Sequence, residues 1–149
     1  MILRIKIFFI IASLSIIFSQ KSFSHTNDPR HMAMVTLAKN MQEISRVIKS
    51  KSPLSSDNLK KLEQVYEISK KIDTLFDEDD SDKKGSRASP EIWKNKDKFM
   101  ALTVDFEKSV ENLIEVVKSN DNEEMISAIS SVGASCGKCH RSFRLPKKN

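Results

Sequence analysis

Glycine and proline are scarce in this 149-residue chain, with 3 and 4 copies, so long stretches run without the residues that punctuate turns. Strand-like alternation of apolar and polar side chains is also missing. Both absences argue against a β-rich fold and fit a single domain of long helices around a modest core, since 39% of the residues are apolar. Cysteine is confined to Cys136 and Cys139, and histidine to His25, His31 and His140. A zinc site would call for a second cysteine pair or a histidine pair at metal-binding spacing, and neither is present. No βαβ pattern gives the cysteines a thioredoxin-like setting, and no acid–base pair or nucleophile constellation points to an independent enzyme.

No apolar run reaches the roughly 20 residues that a membrane-spanning helix needs. The nearest to one follows the basic Arg4 and Lys6, runs from Ile7 to Phe18 and leads to Ser22-Phe23-Ser24. That is the layout of a secretory signal peptide cleaved after Ser24, with a retained membrane anchor as the competing reading. The expected division is therefore residues 1–24 as signal peptide and 25–149 as one exported domain. Setting aside Arg4, Lys6 and Lys21 leaves 22 Lys+Arg against 20 Asp+Glu. The basicity of the whole chain is thus partly a targeting signal and gives no ground for a nucleic-acid partner.

Four segments carry helical periodicity. Asp28-Pro29 caps the first, whose apolar stripe is Met34, Leu37, Ala38, Met41, Ile44 and Ile48, ending near Ser50. Ser56 or Asp57 opens the second, with Leu62, Val65, Tyr66, Ile72, Leu75 and Phe76 on one face. Residues 77–88 read as a solvated charged loop. Ser89-Pro90-Glu91 starts the third, with its stripe from Phe99 to Val117, and Asp121 and Glu124 have capping-box spacing before a fourth that should run to about Arg144. Such a set predicts an all-α, antiparallel up-down four-helix bundle.

The fourth stripe is Ile126, Ile129, Val132, Gly133, Cys136, Cys139, His140 and Phe143, which predicts that both thiols and the imidazole face the bundle interior. Cys136-Gly137-Lys138-Cys139-His140 is the attachment sequence of c-type haem. Two thiols on one helical face can each add to a haem vinyl group, and the adjacent imidazole can reach the iron as proximal ligand. A simple disulfide would leave His140 unexplained. Gly133, one turn before Cys136, would admit the porphyrin or a neighbouring helix, or is a tolerated mid-helix glycine.

The run Val132-Gly133-Ala134-Ser135-Cys136-Gly137-Lys138-Cys139-His140-Arg141-Ser142-Phe143-Arg144, with Ser89-Pro90-Glu91-Ile92-Trp93 and the spacing from Arg30 to Met34, resembles the class II c-type cytochromes, the cytochrome c prime family. The resemblance spans the whole expected mature chain and is weakest in the second helix. It implies a bundle with one covalent haem c, Met34 on the distal side as sixth iron ligand or as core filler, Arg30 near the haem propionates, and Arg144 on the proximal side. An exposed helix-start arginine is the other reading of Arg30. Trp93 and Phe143 would enclose the haem or simply fill the core, Met32 and Met41 are packing or surface residues, and His31 is assigned no function.

The resulting expectation is a periplasmic one-electron carrier that transforms no substrate, with a transient redox-protein partner docking near Lys138, Lys147 and Lys148. Its rival is a module that binds nitric oxide or carbon monoxide at a five-coordinate iron. Family members are often homodimers packed through their first two helices, so a dimer is expected too.

Overall fold

The computed structural model describes residues 28–147. The signal peptide expected over residues 1–24, together with His25 and Lys148, lies outside that range.

The elements are α1 (Pro29–Lys49), α2 (Ser56–Ser69), α3 (Ile72–Leu75), α4 (Glu91–Lys94), α5 (Lys96–Ser119) and α6 (Asn122–Phe143). Capping chemistry sets the main starts. The Asp28 carboxylate accepts from the Arg30 amide at 2.9 Å, with Pro29 in the first helical position. At α2 the cap is Ser55, whose hydroxyl accepts from the Asn58 amide at 3.2 Å while Asn58 Oδ1 accepts from the Ser55 amide at 3.0 Å. Asp121 accepts from the amides of Glu123 and Glu124 at 2.9 and 3.0 Å. Asn120 ends α5 in the left-handed region at φ 57°, which asparagine tolerates.

Two expected helices are interrupted. The second ends at Ser69, whose hydroxyl bonds back to the Tyr66 carbonyl at 2.8 Å, and Ile72 and Leu75 fall in the separate turn α3. The third opens as the single turn α4, where the Ser89 hydroxyl accepts from the Glu91 amide at 3.3 Å. It breaks at Asn95 (φ −122°, ψ 48°) before α5 begins. The segments beyond the two breaks meet at one contact, where the Phe76 carbonyl accepts from the Trp93 indole at 2.9 Å and from Lys96 Nζ at 3.3 Å.

The long helices close a ring in which α1 packs on α2, α2 on α5, α5 on α6 and α6 on α1. Ile44, Val65, Val110, Leu113 and Val132 from all four are fully buried at its centre. The α1 stripe needs one correction: Ala38 is exposed and Asn40 is buried instead. Its amide faces α2, donating to Gln64 Oε1 at 3.1 Å and to the Lys61 carbonyl at 3.4 Å, so its polar atoms are satisfied in the interface.

The 77–88 segment also departs from expectation, because it is not wholly solvated. Asp80 is only 3% exposed. Farther along, Ala88 and Arg144 form an antiparallel bridge, with the Ser89 amide donating to the Phe143 carbonyl at 3.0 Å and the Leu145 amide to the Arg87 carbonyl at 2.8 Å. This strap fastens the loop to the end of α6. No described helix is long and apolar enough to cross a membrane.

Truncating Ile44 to alanine should cost about 3 kcal/mol, because the ring cannot collapse around the cavity. Removing the Asp121 cap with alanine should cost about 1 kcal/mol. Urea unfolding should show both as lower midpoints with an unchanged slope.

Candidate functional site

On α6, Met125, Ala128, Ile129, Val132 and Phe143 are buried, and this seam sets the direction of the helix. Cys136 and Cys139 lie on the same side, half-buried, packed against the core and both free thiols. Burial pushes the Cys139 thiol up to about 11, with the neighbouring Cys136 adding to the effect, and burial raises Cys136 as well. Both thiols are therefore protonated at neutral pH.

His140 does not point inward as expected: the residue is exposed. The reason is angular, since it follows Cys139 by about 100° around the helix and so sits at the edge of the buried face. Its ring is still close enough to the protein for desolvation to lower its pKa, and the positive charges of Arg144 and Arg87 lower it further. The outcome is a neutral imidazole with a free nitrogen lone pair, the form that binds a metal.

Gly133 meets no neighbour: a Cβ built there would have nothing within 4 Å. No helix crosses closely at that point, so a neighbouring-helix contact is ruled out; Gly133 is exposed, which leaves room for a planar group one turn before Cys136 and fits a tolerated mid-helix glycine equally well. Two tethering thiols, one neutral imidazole and an open flank fit a covalently held porphyrin. Among the described residues no group of three or more His, Cys, Asp or Glu side chains is placed to cage a bare ion.

Met34 lies on α1, half-buried against the core, and α1 packs on α6. Met41 is half-buried as well, whereas Met32 is 48% exposed. Phe143 is core, stacked edge-to-face on Phe99 at 5.4 Å, and Phe99 in turn meets Phe76 at 5.3 Å.

Arg30 is not an exposed helix-start arginine. Its side chain is 15% exposed and pairs with Asp80, while a second nitrogen donates to the Glu78 carbonyl at 2.9 Å. Its guanidinium lies 5.2 Å from the centre of Phe76 and 5.9 Å from that of Trp93. Trp93 is thus half-buried beside Arg30. Arg144 is exposed at the end of α6, its amide donating to the His140 carbonyl at 3.1 Å.

Two residues of the site escaped the sequence reading. Asp80 sits in the acidic run Asp77-Glu78-Asp79-Asp80, where nothing in the sequence sets it apart. Arg87 reaches the His140 neighbourhood through the strap, its Nε donating to the Leu145 carbonyl at 2.9 Å. A cation two residues before the Ser89-Pro90 signal was the one visible hint.

The family model described as Cytochrome C' matches residues 26–144. Cytochrome c' of Pararhodospirillum photometricum is 24% identical over 115 residues, which cover 77% of this chain and 92% of that protein. Cytochrome c-556 of Rhodopseudomonas palustris is 28% identical over 123 residues, or 78% of this chain and 80% of the relative. Among solved structures, cytochrome c' from Rubrivivax gelatinosus superposes with a TM-score of 0.68 at 23% identity, covering 77% of this chain and 91% of that one. A nitric oxide complex of a variant cytochrome c prime from Alcaligenes xylosoxidans gives 0.69 at 24% identity, covering 79% and 91%.

Asp80→Ala should destabilise the fold by about 3 kcal/mol in urea titration, because Arg30 is left charged and largely buried with its carboxylate gone. In haem-free protein, iodoacetamide should label the two cysteines slowly at pH 8 and faster as pH rises, with Cys139 still gaining near its pKa of about 11. Because the thiol pKa is raised from 9.0 to about 11 in the fold, its favourable contribution is fully present below pH 9 and is lost as pH rises from 9 to about 11.

Proposed function

Because the chain belongs to the cytochrome c′ family, we propose that it is an exported haem c protein acting as a one-electron carrier. When bound, the haem supplies the Fe(III)/Fe(II) couple. Cys136 and Cys139 tether it by thioether bonds, which hold it even though the half-buried face encloses it incompletely. His140, as a neutral imidazole, would be the residue that holds the iron, and the strap at residues 87–89 keeps the end of α6, and so that imidazole, in position.

The observation that carries the electron-transfer reading is Met34. It places a half-buried, soft thioether on the helix that packs against α6. Met34 would be the residue to offer the haem iron a thioether, a ligand that would favour the reduced state, as suits a carrier. Arg30, Phe76 and Trp93 stiffen the start of the same helix four residues earlier. Export rests on the basic-then-apolar pattern of residues 1–24. A homodimer through α1 and α2 has the exposed apolar side chains Met32 and Leu59 to use.

A second reading is binding of a diatomic gas at an open iron. Relatives solved with nitric oxide and with carbon monoxide favour it. The two differ only in what occupies the sixth position.

Visible spectra of the exported protein, oxidised and reduced, should be low-spin and should turn high-spin in Met34→Ala. A high-spin spectrum indifferent to Met34 would transfer the assignment to gas binding, and an exported protein without haem absorbance would refute both.

A further inference from the structure

We propose that the outward, C-terminal face of α6, centred on Lys138 and Arg141 and continued by Arg144, is the docking surface for an acidic redox-partner protein; this rests on the carrier reading above and names the partner's chemistry.

Charge is one-sided along the C-terminal part of α6. From Met125 to Lys147 the chain has no Asp or Glu. Lys138, Arg141 and Arg144 are all exposed, and none of them makes an ion pair among the described residues. Some cations elsewhere do pair, as Lys51 with Glu123 at 2.8 Å, Lys61 with Glu43 at 2.7 Å and Lys118 with Glu115 at 2.7 Å, and others such as Lys49 and Lys60 do not; the C-terminal part of α6 is set apart by having no acidic residue along it. Arg87 adds a further positive charge beside Arg144 and lowers its pKa after burial does, which is the mark of like charges crowded together.

The second observation is direction. At about 100° per residue, Lys138 and Arg141 project roughly 130° and 170° from the middle of the thiol pair. They stand on the far side of the helix from the face that carries Cys136 and Cys139. Arg141 also lies along the helix rather than reaching away: its Nη1 is 3.3 Å from where a Cβ on Gly137 would sit. The cations therefore form a compact patch one helix thickness, about 10 Å, from the thiols.

Unpaired like charges raise the energy of the free protein, and an acidic surface relieves that. Because the patch is exposed and small, the association is weak, fast and sensitive to salt, as a transient electron-transfer encounter requires.

The test uses reduced holoprotein, the variant K138Q/R141Q, and K49Q/K60Q as a control with the same charge change at the other end of the bundle. Binding of a fluorescently labelled ten-residue polyglutamate peptide is followed by anisotropy. Oxidation by the anion hexacyanoferrate(III) and by the cation tris(phenanthroline)cobalt(III) is followed by stopped flow, both over a range of ionic strength. K138Q/R141Q should weaken the peptide and slow the anionic oxidant by about fivefold at low salt, with the cationic oxidant unchanged or faster and the control within about twofold of wild type. Equal losses in both variants would mean that net charge alone is responsible and would overturn the docking face. Peptide binding lost without any change in the anionic rate would overturn its redox role. Either failure is distinct from that of the carrier reading, which the Met34 spectra decide.

Discussion

The seam between α5 and α6 governs the rest of the molecule. Phe99, Thr103, Phe106, Val110 and Leu113 of α5 face Met125, Ala128, Ile129, Val132 and Phe143 of α6, and burying them leaves α6 one rotational setting. That setting carries Cys136 and Cys139 to the edge of the core, packed but not sealed. Rotating the helix outward would strand the thiols in water, and rotating it inward would expose Val132 and Phe143. The partial burial that raises the pKa of both thiols is thus a by-product of core packing.

Polar contacts at the same end of the bundle hold what the seam does not reach. Arg30 draws Asp80 and the Glu78 carbonyl onto the start of α1, Trp93 and Lys96 share the Phe76 carbonyl, and the strap at residues 87–89 runs beside residues 143–145. These contacts tie a charged loop between two long helices to both of them. The loop then contributes Arg87 to the environment of His140, with Arg144 as a second cation there. Were His140 to hold a haem iron as proposed, positive charge beside it would disfavour the more positive Fe(III) state, so the same contacts would bear on the reduction potential.

Much of this was legible beforehand because helices announce themselves locally. Asp28-Pro29, Ser89-Pro90 and Asp121 marked starts through hydrogen bonds that span two or three residues, and the spacing of Phe99, Phe106, Val110 and Leu113 marked a buried face. The misses share a cause. Asn40 is buried because Lys61 and Gln64 of another helix receive its amide, Asp80 because Arg30 lies fifty residues away in sequence, and the break at Asn95 because Trp93 turns towards Phe76. Periodicity describes one helix at a time and carries no information about such partners.

The sequence by itself determined the helical class, the capped starts of α1, α4 and α6 and the CxxCH chemistry, since each depends on groups within a few residues of one another. Tertiary structure alone decided that Gly133 opens onto free space, that Arg30 is held by Asp80 and that Arg87 comes beside Arg144. Those outcomes depend on which helix lies against which, and that is fixed only when every apolar face is buried at once.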